Sequence, residues 1–166
     1  MKELLRNYTK YNIWANERIC EVLGKLDPAL LDKELTSSLK TLRKTIYHIW
    51  DAETIWHKRL NGKSLSGWPS ESFKGDFAEF QTQFLGVSGN FFMYVLNKDK
   101  TQLKQELTYK NMEGKKFTHK ITNIILHCIN HSTFHRGQII TMLRNLGVTE
   151  LPSTDYIAFL RETESK

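Results

Sequence analysis

No stretch of this sequence stays apolar for the roughly 20 residues that a membrane-spanning helix requires. Met1 leads into KELLRNYTKY, charged and amphipathic, where a secretory leader would carry an apolar core. The expectation is a cytoplasmic protein with no membrane partner. Cysteine is also scarce: Cys20 and Cys128 lie far apart, both on predicted helices. Two such thiols exclude a disulfide framework and read as buried, reduced side chains. Lys and Arg outnumber Asp and Glu by 24 to 18, for a formal charge of +6. No basic run exceeds a pair such as Lys115-Lys116, however, and the cations are mixed with acids along the whole chain. Nucleic-acid binding concentrates its cations on one face, so no specific nucleic-acid partner is expected. Internal repeats and low-complexity tracts are absent as well. What remains, 166 residues of which 40% are hydrophobic, suits a single domain over 1–166 that buries a sizeable core.

The most informative stretch is HKITNIILHCINHSTFHRGQIITMLRNLG, from His119 to Gly147. His127, His131 and His135 recur every four residues, so on an α-helix they stack along one face, each about 40° from the next. Ile124, Cys128, Ile139, Met142 and Leu146 share that face, which directs the histidines toward a core. A buried imidazole must be hydrogen-bonded or must coordinate something. A histidine pair at i and i+4 aims two ring nitrogens at one point, the geometry a metal needs from one helix. Three in register favour a metal over histidines satisfied by side chains and water. Cys128 is a possible fourth ligand, although lone helical cysteines are usually packing residues. Gln138 shares the histidine face and is placed to orient a ligand. Arg136 points away from it, either pairing with an acid such as Asp155 to anchor the terminal segment or standing as an ordinary surface arginine.

Taken in order, periodicity predicts a first helix from Lys2 to about Lys25, with a stripe of Leu4, Tyr8, Tyr11, Ala15, Ile19 and Val22. Asn16 lies about a third of a turn off that stripe and is expected to be solvated. A second helix follows a cap at Ser37 or Ser38 and stops at Asn61-Gly62. Its stripe is centred near Leu42, Ile49, Trp56 and Leu60. His48 lies on the flank with Ala52 and Ile55, a ligand only if the bundle turns that flank inward. Glu53 sits within the stripe, either as a solvated edge residue or as a buried carboxylate supporting a site. A loop follows in which Trp68 and Phe73 tuck against the bundle. Asp76 then caps a third helix from Phe77 to about Asn97. ELTYKNMEGKKFTHK alternates as a short hairpin or extended crossover does, with a turn at Glu113-Gly114. The last long helix is expected from near Thr118 to Gly147, and a short terminal one after a cap at Ser153 or Thr154. The fold class is all-α, four long helices plus minor elements.

With YNIWANERI, TIYHIWDAETIWHKRLNG, HCINHSTFHRGQI and DYIAFLRE in order, nearly the whole chain resembles the DinB/YfiT-like superfamily of bacterial four-helix-bundle proteins. The resemblance implies a divalent metal, zinc or nickel, held by His48, His131 and His135, with His127 a neighbour of the site. Three neutral imidazoles leave a coordination position open, as catalytic zinc sites do. The resemblance also implies an enzyme that joins a low-molecular-weight thiol such as bacillithiol to a small electrophilic substrate, working as a homodimer. A hydrolase and a non-catalytic stress-response metal binder are the competing readings.

Overall fold

The computed structural model describes residues 1–164. Its elements are α1 (Lys2–Gly24), α2 (Pro28–Leu31), α3 (Leu42–Leu60), α4 (Pro69–Ser72), α5 (Phe77–Leu96), α6 (Lys100–Lys104), β1 (Glu106–Lys110), β2 (Lys116–Lys120), α7 (Ile121–Asn145) and α8 (Tyr156–Glu164). The architecture is all-α. The four long helices α1, α5, α3 and α7 form a closed ring, each packed on the next and α7 returning to α1. Among the described residues no helix is long and apolar enough to cross a membrane.

Local chemistry explains most boundaries. Asp76 accepts from Glu79 N at 2.9 Å while the Glu79 carboxylate accepts from Asp76 N, a reciprocal cap that starts α5 where the sequence placed it. Gly62 and Gly147 follow α3 and α7 with φ of +71° and +84°, left-handed conformations that glycine adopts without a Cβ clash. Three boundaries differ from expectation. The cap of α3 is Thr41, whose Oγ1 accepts from Lys44 N at 3.1 Å, because Ser37 and Ser38 lie in the turns before Lys40. Thr118 belongs to β2, paired with Thr108, so α7 begins later, at Ile121. Asp155 leads into α8, its carbonyl accepting from Ala158 N and Phe159 N, in place of Ser153 or Thr154.

The buried side of α1 is rotated relative to the expected stripe. Leu5, Tyr11, Asn12, Ala15, Asn16, Ile19 and Leu23 are buried, whereas Leu4 is 49% exposed. The cause is polar. The core forms two apolar clusters, one around Leu5, Phe91, Ile125 and Phe159, the other around Ile19, Leu42, Phe80 and Leu143. On every long helix a polar layer falls between them. Glu53 accepts from Asn12 Nδ2 (2.7 Å), Asn16 Nδ2 (3.0 Å), Ser88 Oγ (2.6 Å) and Ser132 Oγ (2.9 Å). Arg136 donates to Asn12 Oδ1 (2.8 Å), Asn16 Oδ1 (2.6 Å) and Thr133 Oγ1 (2.9 Å). The two asparagines thus bridge a buried cation and a buried anion.

This layer overturns two expectations. Asn16 is wholly buried where solvation was expected, since its amide is needed by both charges at once. Arg136 is buried at 1% exposure and engages α1, not Asp155. The terminal segment is held instead by Tyr11 Oη donating to Thr154 O at 2.8 Å, and by Trp14 Nε1 and Arg18 donating to Glu162.

Candidate metal centre

His48 comes from α3, while His131 and His135 come from α7, which packs against it. The flank of α3 that periodicity left undecided is turned inward: Ala52 and Ile55 are buried, and His48 beside them is half-buried. The reason is the neighbouring polar layer. Burying Glu53 between α1, α5 and α7 rotates α3 so that His48 faces α7.

His48 Nε2 and His131 Nε2 stand 3.1 Å apart. The His48 ring centroid is 4.8 Å from that of His131 and 4.6 Å from that of His135, and the two α7 rings are 4.4 Å apart. One ligand atom from each of the three lies within 4.8 Å of the others. Imidazole nitrogens about 2.1 Å from a shared ion are separated by roughly 3.0 Å at a right angle and 3.4 Å at the tetrahedral angle. The 3.1 Å pair falls in that range.

Protonation agrees with a ligand role. His135 Nδ1–H donates to Gln138 Oε1 at 2.7 Å, which leaves the Nε2 lone pair free on the side of the other rings. His131 Nδ1 is buried without a hydrogen-bond partner, so the ring's polar contact is made through Nε2. Burial, then the neighbouring His135, His48 and His127, hold the His131 pKa down to about 3. Burial and His135 lower that of His48. Burial also lowers that of His135, against the opposing Gln138 bond. All three are neutral at pH 7, the form a metal requires. These nearby histidines can therefore bind a metal ion.

The other candidate residues are placed as follows. His127 is exposed, 6.0 Å from the His131 ring and 5.4 Å from Trp56, and outside the trio. Gln138 holds His135. Glu53 is fully buried in the polar layer and reaches the trio only through Ser132, the residue after His131. Cys128 is packed in the first apolar cluster, where burial and the Glu53 charge push its thiol pKa well up, so it is no fourth ligand.

Two features escaped the sequence reading. Asp51, buried on α3, accepts from Ser70 N (2.8 Å) and Ser70 Oγ (2.6 Å), tying down the loop that brings Trp68 within 6.3 Å of His48. A cleft of about 300 Å³ then opens beside the trio, lined by His48, Trp56, Arg59, Trp68, Met112 and His131 among others. Its walls come from α3, α7, the Trp68 loop and the hairpin turn, segments that no local periodicity relates.

The sequence profile of the DinB family matches residues 1–166. The chain is also 26% identical over 164 residues to Protein DinB of Bacillus subtilis (strain 168), covering 95% of this chain and 94% of that protein.

Proposed function

The chain belongs to the DinB family, and on that footing we propose a divalent-metal-dependent enzyme, zinc or nickel, that transfers a low-molecular-weight thiol such as bacillithiol to small electrophiles. The observation that carries this reading is the convergence of three neutral imidazoles within 4.8 Å of one another, two of which, His48 and His131, line an open cleft. His48, His131 and His135 are the ligands of the proposal. Such an ion, when bound with a free coordination position, lowers the pKa of a thiol or a water molecule. The chain's own residues do the rest. Gln138 keeps His135 in the tautomer whose Nε2 is free, and Trp56, Trp68 and Met112 supply apolar walls against which a substrate can pack. In the transfer, the thiol sulfur forms a bond to the electrophilic carbon, the leaving group departs with the old bonding pair, and the thiol proton passes to solvent.

We further propose a homodimer. Met1, Leu4, Met93 and Leu96 are all exposed, and Lys2 Nζ donates to Leu96 O at 2.9 Å, bringing those two helix ends together. Exposed apolar side chains gathered in this way favour association.

The deciding experiment is thiol depletion with chlorodinitrobenzene, using bacillithiol, glutathione and cysteine in turn. Metal-loaded wild type is compared with metal-free protein and with His131→Ala. Turnover that requires both metal and His131 is the expected result, and the thiol that supports it is the co-substrate. Absence of metal-dependent turnover with every thiol overturns the transferase.

A further inference from the structure

Arg59 is a half-buried cation with no anion beside it. Its guanidinium stacks over Trp56 and Tyr109, 4.6 and 5.1 Å from the ring centroids. Its side chain has no hydrogen bond or ion pair with any described residue. The contrast with other arginines is informative: Arg18 pairs with Glu162, Arg43 grips Asp32, and Arg136 engages two asparagines. A guanidinium held against two aromatic rings, themselves packed edge to face at 75°, loses little freedom when it binds, and N–H groups not turned to the rings remain available for an oxygen pair.

Its position gives those groups a purpose. Arg59 lines the same cleft as His48 and His131, together with Ala52, Ile55, Trp56, Trp68 and Met112. It follows His48 on the same face of α3 by about three helical turns, roughly 16 Å of rise. Helical side chains lean toward the N-terminus, and stacking on Trp56 draws the charge back in that direction. The gap to the histidines is therefore shorter than the full rise between the two positions, along one wall of the cleft. Among the described residues Glu113 is the one acidic side chain lining the cleft; it accepts from Asn111 Nδ2 at 3.4 Å and forms no ion pair with Arg59.

We infer that this cleft takes small molecules with an apolar body and a terminal carboxylate, the carboxylate docking on Arg59 and the far end reaching His48 and His131. The inference deepens the enzymatic reading and rests on it for the chemistry at the far end. Arg59 is then a specificity-determining residue, one that selects anionic partners over neutral ones of the same shape.

The test measures binding alone, on chelator-treated protein, so it does not depend on turnover. Octanoate and octanamide, of equal length and differing in charge, are titrated calorimetrically at pH 7.5 and low salt. Wild type should bind octanoate at least about ten-fold more tightly, the step expected of one charge-assisted bidentate contact. Arg59→Gln should abolish the preference, Arg59→Lys should keep part of it, and Glu113→Gln should preserve or strengthen it. Equal affinity of wild type for the two ligands overturns the inference, as does a preference that survives undiminished in Arg59→Gln. A charge preference found without thiol turnover leaves the subsite standing and removes the transferase; turnover without the preference does the reverse.

Discussion

Gln138 is the residue on which the geometry of the proposed ligands depends most directly without being one of them. Its Oε1 fixes His135 Nδ1 as the protonated nitrogen, and losing such a support typically costs about 10–100-fold in metal affinity. Gln138→Leu is therefore expected to weaken metal binding by that factor while leaving the helical circular dichroism unchanged; calorimetric titration of metal into the chelated protein checks it. The histidines also predict how the metal-free protein responds to acid. Their pKa values lie below the ordinary value near 6.5, that of His131 at about 3. Between those limits the unfolded chain binds more protons than the folded one, so folded stability is full above about pH 6.5 and is lost as pH falls toward 3. Urea midpoints of chelated wild type should fall more between pH 7 and pH 4.5 than those of His131→Gln, which lacks the depressed group. An equal fall in both would show that the ring is not protected from protons.

At the scale of elements, the polar layer decides how the helices meet. Glu53 on α3 reaches α1, α5 and α7 through Asn12, Asn16, Ser88 and Ser132, and Arg136 ties α7 back to α1. Burial alone lowers the Arg136 pKa, and the nearby Tyr11, Glu53 and Cys128 oppose that shift. Removing one charge of such a pair leaves the other uncompensated in the core, at a cost of about 3–5 kcal/mol, whereas removing both is far better tolerated. Arg136→Leu should accordingly lower unfolding stability by that amount, and Glu53→Leu added to it should recover a large part. Equilibrium urea unfolding of the two single variants and the double variant reads this directly, and additive losses would mean that the two charges do not act as a unit. Periodicity could not find this layer, because a helical wheel scores polar residues outward. Asn12, Asn16 and Arg136 go inward only because another helix supplies the opposite charge.

For the molecule as a whole, a metal that binds only the folded chain adds stability by mass action, about 2.7 kcal/mol at a free concentration 100 times its Kd. Thermal melting of metal-loaded protein should therefore shift down on adding chelator, with no such shift in a His48, His131 and His135 triple alanine variant. The proposed dimer is checked by light scattering, where a monomer mass at micromolar concentration would contradict it. The sequence by itself determined the helices, since hydrophobic period, Asp76 and the two left-handed glycines are local signals, and it determined the four-residue histidine spacing on α7. It could not decide whether His48 faces inward, because that depends on how α3 rotates against α7. The rotation is set by hydrogen bonds from Glu53 to residues 35 to 79 positions away in the chain. The cleft had no local signature either, as its walls are brought together by Asp51 pinning the Trp68 loop and by the hairpin folding over Trp56. Contacts between distant segments follow the energy of the whole packed chain, so only the tertiary structure placed Arg59, Trp68, His48 and His131 around one space, with His135 beside the two histidines.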